Sequence, residues 1–335
     1  MRVWEITGSY GIDHLVPAEK PDPKPGAGEI VVAMRASSLN YRDLLTVEGA
    51  GGGFPLPLIP FSDGAGEVTA VGSGVTRVKP GDRVCPSFFQ SWIDGEVADY
   101  SRTKALGGTA SGVLQEKMLV SADGVSKIPD YLSWTEAATL PCAGLTAWRA
   151  IAVEAPVGPG NTVLVQGTGG VSIFALQFAK ARGATVIATS SSDAKLKRAK
   201  ELGADHLINY KNTPDWGKAV RDLTGGKGVD VVVEVGGENT FGQSLDAVRV
   251  GGSVVVIGVL GGFSSPVFLP VLFGKNLRVI GISVGSRSMF DDMTASMAKW
   301  KLKPVVDKTF PVTQVQDALR LMRDKGHFGK ICLTF

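Results

Sequence analysis

The strongest constraint on the fold comes from residues 162–282, where short runs rich in valine and isoleucine alternate with longer helix-like segments. The runs that predict strands are TVLVQ (162–166), TVIAT (185–189), HLINY (206–210), VDVVVEV (229–235), SVVVIGV (253–259) and LRVIGI (277–282). Most are almost continuously apolar, as strands are when both faces of a parallel sheet are covered. Segments between them, such as TFGQSLDAVRVGG (240–252), end at glycine, a common helix stop. This alternation predicts a doubly wound parallel sheet in an α/β protein.

Residues 1 to about 140 follow a different pattern, in which short β-like runs alternate with Gly, Pro and Asp turns. This pattern predicts an irregular, partly open β-barrel. The stretch IPFSDGAGEV (59–68) is interpreted as a glycine-rich turn within it. From residue 284 the texture is mixed again, with two helix-like and two strand-like segments that are expected to pack back on the first domain.

A chain of 335 residues is long for one hydrophobic core, so more than one domain is expected. The predicted division assigns residues 1–142 to the β domain and 143–283 to the nucleotide-binding domain. Residues 284–335 return to the first domain. The nucleotide-binding domain is then an insertion within the β domain.

Composition excludes several classes of protein. The net charge is only +3 and the basic residues form no long run, so neither nucleic acid nor a membrane surface is indicated as a partner. The most apolar stretch, residues 264–284, is interrupted by Pro270, Gly274, Lys275 and Arg278, and is a poor membrane span. The three cysteines form no C-x-x-C pair, which favours a reducing, cytoplasmic location.

The strongest chemical motif is GTGGVS (167–172), which follows a predicted strand and opens a predicted helix. That is the context of a dinucleotide fingerprint, in which glycines let the backbone approach a pyrophosphate at a helix N-terminus. The third small position is Ser172 instead of Gly or Ala. The motif therefore predicts a turn that binds the pyrophosphate of a dinucleotide cofactor.

The choice between NAD(H) and NADP(H) depends on the end of the second strand, where NAD enzymes usually carry an acid that binds the ribose hydroxyls. Here TVIAT runs into Ser190, Ser191 and Ser192, and Lys195 follows. Asp193 is expected in the first turn of the next helix. Hydroxyls and an ammonium suit a 2′-phosphate, which a carboxylate would repel, so NADP(H) is favoured. The serines can equally serve as helix caps.

Several short motifs, taken in order, carry a resemblance over essentially the whole chain. They are SLNYRDLL (38–45), IPFSDGAGEVTAVGSGV (59–75), KPGDRV (79–84), AATLPCAGLTAW (137–148), VLVQGTGGVS (163–172) and HFGKICLTF (327–335). With these motifs the chain resembles the zinc-independent branch of the medium-chain dehydrogenase/reductase superfamily, which includes quinone oxidoreductases and alcohol dehydrogenase-like proteins. The resemblance implies a GroES-like β domain formed by the first and last segments, and a cofactor in the cleft beside a Rossmann domain.

The same comparison bears on zinc. Zinc-dependent relatives have His-Glu where this chain has Ser62 and Asp63, and a cysteine where it has Asn40. Only Cys142 matches a ligand position, whereas a catalytic zinc needs three protein ligands. The cysteine lobe of a structural zinc would follow Cys85, and no cysteine lies there. No metal is therefore expected, and Cys142 is interpreted mainly as a packed residue.

The resemblance also assigns cofactor contacts residue by residue. Thr146 is expected at the phosphate on the nicotinamide side. The residues expected at the pyrophosphate are Gly167, Gly169, Gly170 and Val171, and those expected at the adenosine phosphate are Ser190, Ser191, Lys195 and Tyr210. The remaining candidates are Gly236, Val259 and Leu260 at the carboxyl ends of strands, with Asn40 and Lys330 as weaker ones.

Without zinc, a conjugated substrate is easier to reduce, because an enone or quinone spreads the developing negative charge itself. The hydrogen-bond donors near the expected cleft are Tyr41, Asn40 and Ser62, and Tyr41 could instead be only a wall of the pocket. The leading hypothesis is an NADPH-dependent reductase of a small enone or quinone. The alternatives are a zinc-free alcohol dehydrogenase or carbonyl reductase, and an NADPH-binding protein without catalytic activity. An apolar edge strand, LRVIGI, together with the resemblance, predicts a homodimer.

Overall fold

The computed structural model describes residues 1–50 and 53–335. They form two compact units, the first made of residues 1–145 and 284–335 and the second of residues 146–283. No helix within these residues combines the length and the apolar character that a membrane crossing requires.

The strands are numbered in chain order. They are β1 (Arg2–Ile6), β2 (Leu15–Glu19), β3 (Glu29–Ser38), β4 (Asp63–Val71), β5 (Arg83–Pro86), β6 (Lys117–Ser121), β7 (Val125–Lys127), β8 (Thr162–Gln166), β9 (Thr185–Ser190), β10 (His206–Asn209), β11 (Val229–Glu234), β12 (Val248–Val256), β13 (Arg278–Gly281), β14 (Val306–Pro311) and β15 (Lys330–Thr334).

The α-helices are numbered in the same way. They are α1 (Tyr41–Val47), α2 (Trp134–Ala138), α3 (Leu145–Trp148), α4 (Gly170–Ala181), α5 (Asp193–Glu201), α6 (Trp216–Leu223), α7 (Phe241–Ala247), α8 (Leu269–Gly274), α9 (Arg287–Trp300) and α10 (Val315–Arg323). Two π-helical turns, Leu140–Gly144 and Arg149–Glu154, flank α3.

The first unit is built on a sheet of order β14-β15-β3-β4-β5-β7, in which β6 also pairs with β3. The carboxyl-terminal segment belongs to this sheet, because Cys332 of β15 lies opposite Ser38 of β3. Chain segments that are distant in sequence therefore complete one β domain, which is the GroES-like architecture that the sequence predicts.

The interpretation of residues 59–68 as a glycine-rich turn is wrong. Asp63 is the first residue of β4, and Gly64 and Gly66 lie inside this strand, opposite Ser37 and Met34 of β3. A Cβ on Gly66 would lie 2.4 Å from the carbonyl oxygen of Ala33. These glycines are needed for close approach of two strands, a use of glycine that a sequence does not distinguish from a turn.

The second unit has a six-stranded parallel sheet of order β10-β9-β8-β11-β12-β13. The strand order reverses between β8 and β11, the place where a doubly wound sheet opens a crevice for ligands at its carboxyl edge. β11 is buried along its whole length, as its run of valines predicts. The sheet confirms the predicted Rossmann architecture.

One element in this sheet differs from the prediction. The segment 240–252 is not helical throughout, because α7 ends at Ala247 and β12 begins at Val248. The pair Gly251 and Gly252 lies within β12, where a Cβ on Gly252 would meet the side chain of Val248 at 2.5 Å. Gly251 and Gly252 therefore belong to a closely packed strand, and the interpretation of this pair as a helix stop is wrong.

Candidate functional site

The turn between β8 and α4 has the geometry of an anion cradle. Gly167 has a φ of +68°, which favours glycine, and its N–H is held by the carbonyl of Thr189 at 2.8 Å. Gly169 caps α4 without any side-chain hydrogen bond to the first helical N–H groups. Apart from the glycine itself and its two neighbours in the chain, no atom lies within 4 Å of the place where a Cβ would stand on Gly167 or Gly169. Open space in front of free helical N–H groups fits a pyrophosphate.

Ser172, which departs from the usual Gly or Ala of the fingerprint, has a structural role. Its hydroxyl is buried and donates to the carbonyl oxygen of Gln166 at 2.6 Å. The bond ties the first turn of α4 to the last residue of β8. The serine therefore supports the turn, and the close helix–strand contact is kept.

The residues expected at the adenosine phosphate lie together beyond β9. The N–H of Tyr210 donates to the carbonyl of Ser190 at 3.1 Å, and Ser192 caps α5 through the N–H of Lys195. Ser190 itself is only 3% exposed, and its hydroxyl accepts from the N–H of Ser192. Ser191 and Lys195 are partly exposed, and Tyr210 is 41% exposed. Of this set, Ser191, Lys195 and Tyr210 thus have appreciable exposed surface, whereas Ser190 is buried.

The loops that follow β11 and β12 are joined by hydrogen bonds. The N–H of Gly261 donates to the carbonyl of Gly236 at 2.6 Å, and the N–H of Leu260 donates to that of Val235 at 3.3 Å. Gly236, Val259 and Leu260 therefore lie together, past the carboxyl ends of their strands. Thr146 is buried in the short helix α3.

A buried carboxylate organises this edge of the sheet, and no sequence signal points to it. Glu234 is fully buried at the end of β11. It accepts hydrogen bonds from five groups, which are the side chains of Gln166, Thr240 and Ser244 and the main-chain N–H groups of Gly236 and Gly237. Glu234 follows a run of valines in β11, and the pattern of a buried strand gives no reason to expect a carboxyl group there. Its bonds fix the loop that carries Gly236.

A second polar cluster lies in the first unit, and it contains every predicted catalytic residue. Asn40 precedes α1, Tyr41 is the first residue of that helix, and Ser62 precedes β4. Tyr41 is half-buried beside the hydrophobic core, and its hydroxyl has no hydrogen-bond partner among the described residues. The Tyr41 hydroxyl is thus not engaged by another side chain or carbonyl of the described residues.

Ser62 and Asp63 are both fully buried. The hydroxyl of Ser62 donates to Oδ1 of Asp63 at 2.8 Å, and the N–H of Cys142 donates to Oδ2 at 3.0 Å. Burial raises the pKa of Asp63 to about 6, and the nearby positive charge of Lys330 opposes this rise. The Ser62 proton is therefore directed at Asp63, so this hydroxyl donates to the carboxylate and not outward.

Lys330 of β15 also lies in this cluster of the first unit. Its Nζ donates to the carbonyl of Leu39 at 2.6 Å and to Oδ1 of Asn40. Asp43, a buried residue that was not among the predicted site residues, accepts from the N–H of Asn40 at 2.8 Å and from Arg42 at 3.1 Å. The spacing N-x-x-D before an apolar run is a helix-capping signal that could have drawn attention to it.

The residues at the positions of zinc ligands in zinc-dependent relatives do not fit zinc. Oδ1 of Asn40 is bound to an ammonium, and both oxygens of Asp63 already accept hydrogen bonds. Burial and the charge of Asp63 raise the pKa of the Cys142 thiol, whereas zinc takes a thiolate. Among the described residues, no group of three or more His, Cys, Asp or Glu side chains could hold a metal ion.

Two family descriptions match the chain. Residues 26–130 match the alcohol dehydrogenase GroES-like domain, and residues 170–299 match the family described as zinc-binding dehydrogenase. The first match lies within the first unit, and the second covers most of the second unit and continues into residues 284–299 of the first. The second description names zinc, although this chain lacks the ligand set discussed above.

Similar proteins cover nearly the whole chain. A zinc-type alcohol dehydrogenase-like protein of Schizosaccharomyces pombe is 44% identical over 96% of each chain, and an acryloyl-coenzyme A reductase of Metallosphaera sedula is 29% identical over 94% of this chain and 95% of its own length. An NAD-dependent alcohol dehydrogenase structure superposes with a TM-score of 0.91 at 34% identity, over 100% of both chains. A mycobacterial protein in complex with NADPH has a TM-score of 0.84 at 27% identity, also over 100% of both chains.

Proposed function

The chain belongs to the medium-chain dehydrogenase/reductase superfamily as an alcohol dehydrogenase-like oxidoreductase, and we propose that it is a zinc-independent member that reduces a conjugated substrate with NADPH. The substrate is an enone or a quinone. One relative is named for the reduction of acryloyl-coenzyme A, whose double bond is conjugated with a carbonyl group. That name supports the substrate class.

The observation that carries the proposal is the bond between Lys330 and Asn40. The ammonium of Lys330 binds the side chain of Asn40, and Asn40 stands where zinc-dependent relatives have a zinc-ligand cysteine. A simple ketone gains from a Lewis acid at its oxygen, whereas a conjugated acceptor distributes the charge over several atoms. Hydrogen-bond donors then suffice to stabilise the transition state.

The cofactor is assigned to the glycine turn and the end of β9. Gly167, Gly169, Gly170 and Val171 would hold the pyrophosphate on the free N–H groups of α4. Ser191, Lys195 and Tyr210 would surround the 2′-phosphate. NADPH supplies a hydride when it is bound. An NADPH complex among the structural relatives supports this choice, whereas another relative is NAD-dependent.

The role assigned to Tyr41 is to donate a hydrogen bond to the substrate oxygen. Its hydroxyl has no bond to satisfy among the described residues, in contrast to that of Ser62. Asn40 contributes its side-chain amide next to it. The hydroxyl of Ser62 donates a hydrogen bond to Asp63, and we assign Ser62 a supporting role in the cluster.

The test is turnover of NADPH with a panel of enones, quinones, aldehydes and alcohols, in the unaltered protein and in Tyr41→Phe. We expect activity with enones or quinones, and a kcat/KM at least about tenfold lower in the variant, because loss of a donor to a developing oxyanion costs about 2.7–4 kcal/mol in a closed site. The matched control is Tyr131→Phe, whose hydroxyl donates to the carbonyl of Leu302. Full activity of Tyr41→Phe would show that Tyr41 forms only a wall of the pocket and donates no hydrogen bond to the substrate.

A second candidate is a zinc-free alcohol dehydrogenase or carbonyl reductase. The names of the 44% identical relative and of the NAD-dependent structure favour it. Efficient oxidation of simple alcohols, with no reduction of any enone or quinone in the panel, would replace the leading assignment by this one.

We also propose a homodimer formed through β13 and α8. β13 pairs with β12 and, within the part of the chain described by the structure, with no other strand. α8 buries none of its residues, and Phe268 and Phe273 are 75% and 70% exposed. An apolar helix beside an open strand edge suits a second copy of the same surface.

A further inference from the structure

Lys330 is a buried cation that the proposed reaction does not use directly. The residue is 3% exposed, although lysine is almost never fully buried unless it is paired. Its ammonium donates to the carbonyl of Leu39 and to Oδ1 of Asn40. Both acceptors are formally neutral, so the charge must be balanced by other groups.

The balancing groups come from several segments of the first unit. Burial raises the pKa of two carboxyl groups and two thiols nearby, and in each case the charge of Lys330 opposes that rise. A second cation bonds one of the carboxyl groups. These facing groups are Asp43 and Arg42 on α1, Asp63 on β4, Cys142 in the π-helical turn and Cys332 on β15. Two carboxyl groups and two cations thus share this cluster, and of these four side chains only that of Arg42 is partly exposed.

The lysine also fixes which way the Asn40 amide faces. Turning the amide over would place its NH₂ group against the ammonium, so Oδ1 is held toward Lys330. Nδ2 is then buried and has no hydrogen-bond partner among the described residues. Burial raises the pKa of the Asp63 carboxyl group, and a contact from the Asn40 side chain partly offsets that rise, although this contact falls short of a well-formed hydrogen bond. A buried donor that is incompletely satisfied is costly, so it suits an acceptor atom that arrives with a ligand.

We propose that Lys330 is a positioning residue, which supplies the fixed positive charge of this cluster and presents Nδ2 of Asn40 to an acceptor atom of the bound substrate. The substrate part of this inference rests on the proposed function, whereas the charge part and the amide orientation do not. The proposal replaces a direct contact between Lys330 and the cofactor, which the family resemblance implies.

The charge part is tested by thermal unfolding of Lys330→Met at pH 5 and pH 8. Above pH 6 Asp63 is ionised and depends on the ammonium, so we expect the loss in Tm to be at least about twofold larger at pH 8 than at pH 5. Adding Asp63→Asn should restore part of the loss at pH 8. The matched control is Lys275→Met, which removes an ammonium that binds the carbonyls of Leu245, Asp246 and Val248, and it should lose a similar amount at both pH values.

The orientation is tested by the side-chain ¹H–¹⁵N signals of Asn40, assigned by their absence in Asn40→Asp. We expect sharp signals in the unaltered protein, exchange broadening in Lys330→Met and sharp signals again in Lys330→Arg. Unchanged signals in Lys330→Met, or an equal loss in Tm at pH 5 and pH 8, would overturn the proposal, because the lysine would then serve packing alone.

The kinetic test separates positioning from cofactor binding. In Lys330→Met, kcat should fall at least about tenfold while the Kd for NADPH changes less than about twofold, and Lys330→Arg should recover most of the rate. Asn40→Asp, which keeps a partner for Lys330 but has no NH₂ donor, should lose a similar factor in kcat. A large rise in the Kd for NADPH with unchanged kcat would show a direct cofactor contact and refute the positioning role. If the unaltered protein turns over no substrate, the proposed function fails, while the unfolding and amide measurements still decide the inference.

Discussion

The main-chain N–H of Cys142 donates to Oδ2 of Asp63 at 3.0 Å and thereby joins the turn Leu140–Gly144 to the first residue of β4. With the bond from Ser62 to Oδ1, each oxygen of this fully buried carboxyl group accepts a hydrogen bond. Asp63 is therefore an anchor between two segments of the first unit. It is also an ionisable group whose burial has a measurable cost.

The first prediction concerns stability against pH. The folded protein binds the Asp63 proton more tightly than the unfolded chain, because its pKa is about 6 instead of the ordinary 3.8. Protonation of Asp63 therefore stabilises the folded state. This stabilisation is complete below about pH 4 and is lost as the pH rises through 6. The pKa difference corresponds to about 3 kcal/mol. In Asp63→Asn, this decrease in the free energy of unfolding between pH 4 and pH 7 should disappear, as measured by urea denaturation.

The control for this experiment is Asp230→Asn. Although burial raises the pKa of Asp230, its bonds to Arg249 and to the N–H of Thr162 outweigh burial and lower it. The sign is therefore opposite, and Asp230→Asn should be most destabilising above pH 4. An unchanged pH dependence in Asp63→Asn would contradict the assignment of a buried, high-pKa carboxyl group.

The second prediction concerns metal content. We expect well below one zinc ion per chain, even after expression in zinc-supplemented medium, because Asn40 is bound to Lys330 and the Cys142 thiol is held protonated by burial. Elemental analysis of the purified protein decides the question. One or two zinc ions per chain would refute the proposed zinc independence.

The third prediction concerns cofactor choice. In Ser191→Asp, the Kd for NADPH should rise about tenfold or more, because two like charges a few ångströms apart near a surface repel by a few kcal/mol. The affinity for NADH should change little and is the internal control. Fluorescence titration with both cofactors measures the two values. Equal affinities of the unaltered protein for NADPH and NADH would count against the assigned phosphate site.

The fourth prediction concerns assembly. The double variant Phe268→Asp with Phe273→Asp should be monomeric by light scattering at micromolar concentration, because it places charge on the proposed dimer surface. The control Tyr100→Asp changes another exposed aromatic residue, in the first unit, and should leave the dimer intact. A monomeric mass for the unaltered protein would exclude the homodimer.

The sequence predicts the second unit well for a physical reason. Strands covered on both faces must be apolar throughout, so β8, β9 and β11 are visible as runs of Val and Ile. The errors fall at glycines. Gly64 and Gly252 serve close contacts inside strands, and only the position of the neighbouring strand distinguishes this use from a turn.

The polar cluster of the first unit was only partly predictable. Motifs indicate Asn40, Ser62 and Cys142, because they can be compared with known ligand positions. The connection to Lys330 depends on the pairing of β15 with β3, which brings together residues nearly three hundred positions apart. No local pattern encodes such a contact, and lysine is normally expected at the surface.

The first unit is formed by two separate segments of the chain, residues 1–145 and 284–335, and this has a consequence for biosynthesis. Residues 36–38 of β3 find their partners in β15 only after residues 330–334 have been translated. All strands of the second unit leave the ribosome earlier and can assemble while synthesis continues. The nascent β domain meanwhile holds an incomplete sheet for as long as residues 146–329 take to emerge. The interval in which a chaperone can bind that open edge is therefore set by the length of the inserted unit and the speed of elongation.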